Sequence, residues 1–224
     1  LELLLNASPW VNGGIALEDK RLAARLNAAE MVLKGCTAAY DLFLEIPAPS
    51  REGIMAVGQG YADVGVRVVL APMMQDIPLY RAIPGLLDAL PEPQRRQAEN
   101  MRAAPFAESI ATCRDLLGNW PFDRLRMRPA LGPTIPLHCS DEFLMACRDL
   151  AREFDVGIQM HLAESKVQAV SGVARYGHTL AGHLGRLGLL GPHFTGAHGV
   201  WLGDDDLRLL RDQGAAIAHN PGSN

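Results

Sequence analysis

The chain lacks the signatures on which most function classes depend. Its four cysteines, Cys36, Cys113, Cys139 and Cys147, form no CxxC pair, so neither a thiolate zinc site nor a disulfide framework is expected. No stretch of about 18 apolar residues offers a membrane span, and no succession of charged, apolar and small segments marks a signal peptide. A reducing cytoplasm and no membrane partner are the resulting expectations. The 21 Lys and Arg residues are dispersed and outnumbered by 25 Asp and Glu, for a net charge of −4, which leaves no basic face for nucleic acid. The serine-hydrolase elbow GxSxG and the phosphate loop GxxxxGK are absent from the sequence, and with them the central elements of those two mechanisms. No internal repeat or low-complexity segment is found.

What is present is apolar sequence, 48% of 224 residues, enough for one domain or most of a larger one; residues 1–224 read as a single domain. Apolar positions at Leu22, Leu26, Ala29 and Leu33 form a stripe at helical spacing and predict a helix over 18–34, stopped by Gly35. Residues 36–43 read as a strand. A helical stretch before Gly65 leads into the β-branched run 66–70, a strand buried on both faces that Pro72 ends. Pro78, Pro84, Pro91 and Pro93 break the segment 78–120 before a helix around 106–117; an insertion of this kind between barrel strands shapes a pocket or a subunit contact. A strand over 126–131 follows. Ser140 caps a helix with Asp141 and Glu142 in its first turn and Phe143, Cys147, Leu150 and Phe154 at helical spacing. A strand over 156–161, a helix to about 187, a strand over 194–198, a helix opened by Asp204, Asp205 and Asp206 and closed by Gly214, and a strand over 215–219 complete the pattern. Six strands alternating with helices predict an α/β fold with a parallel sheet, and without a glycine-rich dinucleotide turn a barrel is expected in place of a Rossmann fold.

Three histidines close strand-like runs: His161, with Glu164 three residues on, His198 and His219. The gaps of 37 and 21 residues each hold one helical pattern, so each His belongs to the next βα unit and neighbours the last. Barrel chemistry sits at the C-terminal strand ends. Neutral imidazoles suit a borderline metal such as zinc, and an unliganded carboxylate nearby can move protons to and from a metal-bound water. A lone strand-end histidine is most often structural; three at matching ends, one with an acid attached, favour a shared site. His178, five residues from His183, and His193, which precedes its strand, read as structural or solvated. His138 lies in a loop after Pro136.

The segment MHLAES, with His161 and Glu164, and the stretch GAHGVWLGDDDLRLLRDQGAAIAHNPGSN resemble strands 5 to 7 of the amidohydrolase superfamily. The similar branch holds guanine, cytosine and S-adenosylhomocysteine deaminases and triazine hydrolases. AAEMVLKGCTAAYD resembles that branch's helix 1 and strand 2, and CSDEFL its turn from strand 4 to helix 4. The resemblance implies a (β/α)8 TIM-type barrel, incomplete in this chain, with strands 2 to 7 present. It implies one divalent metal, zinc with iron as the alternative, held by His161 and by His198, which ligates the metal or hydrogen-bonds its water. Glu164 would take a proton from that water and deliver it to a substrate nitrogen. Thr134, His138, His219 and Asn220 are the implied substrate-binding residues, with Thr134 standing in GPTIP where many relatives carry a His. The implied reaction is deamination of a purine, pyrimidine or triazine ring by metal-bound hydroxide.

Two family elements have no counterpart. A His-x-His pair from strand 1 is absent, since no two histidines here are two apart, and so is the Asp of strand 8. His161 and His198 supply at most two of the three protein ligands a catalytic zinc uses. The expectation is the middle of a longer enzyme that forms a homo-oligomer, and residues 1–224 alone would expose edge strands that invite pairing with another chain. The alternatives are a non-catalytic barrel module serving as a binding or interface unit, and chlorohydrolase or ring-opening chemistry on the same frame.

Overall fold

The computed structural model describes residues 14–100 and 103–224. Six parallel strands form one sheet: β1 (Ala38–Phe43), β2 (Arg67–Met74), β3 (Met127–Pro133), β4 (Gly157–Leu162), β5 (Phe194–His198) and β6 (Ala216–Ala218). Each strand pairs with the next, in the order β1-β2-β3-β4-β5-β6. A doubly wound sheet reverses its order at a switch point, whereas a βα barrel adds each strand to the same side. The uninterrupted order is that of an incomplete TIM-type barrel.

The connecting helices are α1 (Leu17–Leu33), α2 (Arg51–Val64), α3 (Leu79–Ala82), α4 (Glu92–Asn100), α5 (Phe106–Gly118), α6 (Asp141–Phe154), α7 (Lys166–Tyr176), α8 (Leu180–Arg186) and α9 (Asp204–Gln213). Most begin and end where the sequence says they should. Ser140 Oγ accepts from Phe143 N at the start of α6, and Asp206 folds back onto the Gly203 N–H at the start of α9, satisfying donors that have no partner inside the helix. α6 drives Phe143, Leu144, Cys147 and Leu150 into the main core against Met160, Leu162 and Phe194, all buried. Each such side chain removed from water contributes about 2 kcal/mol.

The stripe Leu22, Leu26, Leu33 on α1 faces outward, with Leu26 62% and Leu33 88% exposed. The buried face is Ala24 and Ala28, because α1 crosses α2 at Gly60 so closely that a Cβ there would lie 2.6 Å from the Arg21 carbonyl oxygen. Only small residues fit. Two expectations are corrected. The single helix up to residue 187 is two: Gly177 closes α7 in the left-handed conformation, and Thr179 opens α8 by accepting from Gly182 N. Pro72 does not end β2, which continues to Met74; the β2–β3 pairing resumes at Met73 with Gly132, where a Cβ would meet the Pro72 carbonyl oxygen at 2.8 Å. The proline-broken segment carries α3 and α4 ahead of the expected α5.

The narrowest join lies between β3 and β4, where Ala130 pairs with Gly157 and Leu131 with Ile158. Beyond these two pairs the strands stay together through His161 N, which donates to the Thr134 carbonyl at 3.0 Å. All four cysteines are free thiols. Among the described residues no helix is long and apolar enough to cross a membrane.

Candidate active site

The C-terminal ends of β4 and β5 bring two of the three histidines together. The register sets His161 beside Ala197 and Leu162 beside His198. The two imidazoles stack with centroids 5.5 Å apart and planes 19° from parallel. Each ring is oriented from behind. His161 Nδ1 lies 2.9 Å from the Thr134 carbonyl oxygen, and His198 Nδ1 lies 2.7 Å from Asn224 Oδ1. Both partners are oxygens that only accept, so both Nδ1 atoms carry a proton, which in a neutral ring leaves Nε2 with a bare lone pair.

Glu164 completes the group. The chain leaves β4 through Ala163 at φ 49°, and Glu164 N donates to Gln168 Oε1 at 3.1 Å, which holds the acid at the mouth of α7. Across from it, His198 takes φ 77° and Gly199 φ 67°. That left-handed pair, costing a non-glycine residue on the order of 1 kcal/mol, turns the chain over β4. Gly199 N donates to Leu162 O at 3.0 Å and Trp201 N to Ala163 O at 2.8 Å. The result places Glu164 Oε2 3.6 Å from His198 Nε2, too far for a hydrogen bond. Glu164 Oε2 is buried and has no hydrogen-bond partner among the described residues.

With the ring neutral, a carboxylate oxygen and an imidazole lone pair facing each other repel unless something electropositive lies between them. Two neutral imidazole nitrogens and one orphaned carboxylate oxygen are therefore a donor set that fits a divalent metal and its water. The set is open: among the described residues no three His, Cys, Asp or Glu side chains gather closely enough to hold an ion by themselves. Burial lowers the pKa of His161, with His198 acting in the same direction and the Thr134 bond and Glu164 opposing.

The other sequence candidates fall behind or beside this pair. Thr134 is buried, and its hydroxyl donates to the Met74 carbonyl at 2.7 Å, so its link to the site is the carbonyl that holds His161. His138 is buried in the 3₁₀ turn Pro136–His138, with Nδ1 3.1 Å from Gln75 Oε1. Burial pushes its pKa down to about 4, with His161 and Arg175 adding to the effect. His219 is exposed just past β6, its Nδ1 3.2 Å from the His198 carbonyl oxygen. Asn220 accepts from Ser223 N through its own carbonyl, a turn that folds the chain back toward His198. His183 is structural: it is buried, stacks on Tyr176 with centroids 3.7 Å apart and meets Asp141 Oδ1 at 2.8 Å. His193 lies exposed beside Asp155.

The resemblance implied that the whole element 219–224 lines the site, but nothing in the sequence assigned Asn224 its partner, His198. Gln75, the partner of His138, follows β2 directly and carried no pattern.

The amidohydrolase family model matches residues 2–224. The chain is 30% identical over 207 residues to a 5′-deoxyadenosine deaminase of Methanopyrus kandleri, covering 92% of this chain and 41% of that protein. It is 31% identical over 199 residues to a 5-methylthioadenosine/S-adenosylhomocysteine deaminase of Syntrophobacter fumaroxidans, covering 89% and 39%. The chain thus spans about two fifths of the length of these relatives. Among solved structures, a triazine hydrolase from Arthobacter aurescens superposes with a TM-score of 0.79 at 23% identity over 97% of this chain and 46% of that one. An adenosine deaminase from Xanthomonas campestris with bound zinc superposes at 0.76, with 21% identity over 98% and 44%.

Proposed function

Since this chain belongs to the amidohydrolase family, we propose that it supplies the central strands and the proton-transfer residues of a metal-dependent hydrolase that deaminates an aromatic nitrogen heterocycle, an adenosine-type nucleoside first among them. One observation carries the proposal: the buried, partnerless Glu164 Oε2 faces His198 Nε2 at 3.6 Å, beside a second imidazole whose Nδ1 is held by the Thr134 carbonyl. His161 and His198 hold the metal through Nε2, and zinc suits two imidazoles in an open site. Zinc bound there supplies Lewis-acid activation of a water molecule.

The rest is the work of the chain's own residues. Glu164 Oε2 takes a proton from the attacking water and delivers it to the ring nitrogen as the hydroxyl adds at the amino-bearing carbon. The C–N bond then breaks, the added hydroxyl gives its proton to the departing NH2, and ammonia and a ring carbonyl result. Its backbone N–H, tied to Gln168, keeps the carboxylate beside the imidazole pair, with Oε2 buried. Thr134 acts from behind by fixing His161 through its carbonyl, while His219 and Asn220 meet substrate at the open strand end. The adenosine-type preference rests on the two deaminases to which the chain is 30% and 31% identical.

The test is ammonia release by the purified protein that carries this chain. 5′-Deoxyadenosine, 5-methylthioadenosine and S-adenosylhomocysteine are offered, with guanine, cytosine and a triazine as comparators. Release from an adenosine-type nucleoside that stops on chelation and returns with zinc is expected. No release from any of the six with zinc restored refutes the proposal.

A further inference from the structure

We propose that Asn224 is a positioning residue that fixes the tautomer of His198 and thereby reserves His198 Nε2 for the metal. The inference rests on the metal-holding reading for its affinity arm only; the tautomer arm stands by itself.

Asn224 Oδ1 lies 2.7 Å from His198 Nδ1, the shorter of the two bonds that orient the imidazole pair. An amide oxygen accepts and cannot donate, so it draws the single proton of neutral His198 onto Nδ1. Without that acceptor, the proton has a better place to go. His198 Nε2 faces the buried, partnerless Glu164 Oε2 at 3.6 Å, and a small ring movement would let an Nε2–H reach that carboxylate. The ring would then present a proton to the site in place of a lone pair, which closes it to a cation. Asn224 and Glu164 therefore pull the same proton toward opposite nitrogens, and the chain's geometry gives it to Asn224.

The placement of Asn224 is itself supported. The turn at Asn220 is closed by Ser223 N donating to Asn220 O at 3.0 Å. Asn224 Nδ2 donates to His219 Nδ1 at 3.3 Å, a bond that needs that ring nitrogen bare. Asn224 is thus anchored beside the neighbouring strand-end histidine while its oxygen serves His198. His161 gains the same tautomer from the backbone carbonyl of Thr134, which no side-chain replacement can remove. His198 alone depends on a side chain, and that makes the device testable.

The experiment uses the metal-free protein carrying this chain, labelled with 15N histidine, in which protonated and bare ring nitrogens give separate signals. The wild type is expected to show His198 and His161 both as the Nδ1–H tautomer. In Asn224→Ala, His198 is expected to move to the Nε2–H form or to a mixture, while His161 stays unchanged and serves as the internal control of fold. Asn224→Asp keeps an acceptor oxygen and is expected to restore the Nδ1–H tautomer. Titration with zinc chloride should then show affinity weakened about 10- to 100-fold in the Ala variant, the range typical of losing a group that orients a ligand histidine, and recovered in the Asp variant. An unchanged His198 tautomer in Asn224→Ala, with His161 intact, overturns the proposal. If His198 changes tautomer while zinc affinity does not move, the positioning role stands and the metal-holding reading of His198 falls.

Discussion

Replacing His138 with Gln should remove an acid-sensitive part of the protein's stability. His138 is buried, and its pKa is pushed from 6.5 to about 4 by burial first, then by His161 and Arg175. In the unfolded chain it returns to its ordinary value. Between these two values the unfolded state binds a proton that the folded state refuses. The stability contributed by the neutral ring is therefore whole above pH 6.5 and is lost as pH falls toward 4. At about 1.4 kcal/mol per pH unit the full loss is about 3 kcal/mol. The measurement is urea unfolding of wild type and His138→Gln at pH 7.5 and pH 4.5. Carboxylates titrate alike in both proteins, so the difference between them isolates the ring. The wild type should lose about 2 to 3 kcal/mol more than the variant over that interval. Equal losses in the two proteins would mean that His138 takes up its proton in the folded state, and the burial argument fails.

Gly60→Ala sets a Cβ 2.6 Å from the Arg21 carbonyl oxygen and 2.7 Å from Ala24 Cβ; since backbone cannot yield locally, α1 must shift, and urea unfolding should show a loss of about 1–3 kcal/mol. Leu26→Ser, on the outward face of the same helix, should change stability by less than about 0.5 kcal/mol, and a loss of several times that would return the leucine stripe to the core. Glu164→Gln in the protein carrying this chain should lower turnover by about 10² to 10⁴ with zinc content unchanged by atomic absorption; loss of zinc would make Glu164 a ligand.

The strands and the histidine pair were legible because their signals are local. A short apolar run ending in a histidine, followed by helical sequence, fixes both an element and the end of it where chemistry sits, and the single βα connection between His161 and His198 fixes their adjacency. The face of α1 was not legible, because periodicity alone cannot say whether large or small residues face inward; the close crossing at Gly60, 36 residues from Ala24 in sequence, decides it. The break between α7 and α8 was written in Gly177 and Thr179 but hidden by apolar periodicity that continues on both sides. Thr134 drew notice as the wrong residue in a family position, yet what it gives His161 is a carbonyl that any residue carries. The role of Asn224 depends on a turn bringing two strand ends together, which no single-strand pattern encodes.

The narrow join between β3 and β4 gives this protein a reporter on its own site. Just two register pairs hold those strands, and the next bond along is His161 N to the Thr134 carbonyl, the same oxygen that receives the ring proton of His161. A ligand on His161 Nε2 holds the ring in the Nδ1–H form that donates to that carbonyl, so binding on β4 reinforces the bond to β3. The reinforcement rises with occupancy, and so with ligand concentration relative to Kd. Hydrogen exchange at the backbone amide of His161 should then slow in step with zinc concentration, so that occupancy is readable from a peptide group, with neither substrate nor turnover.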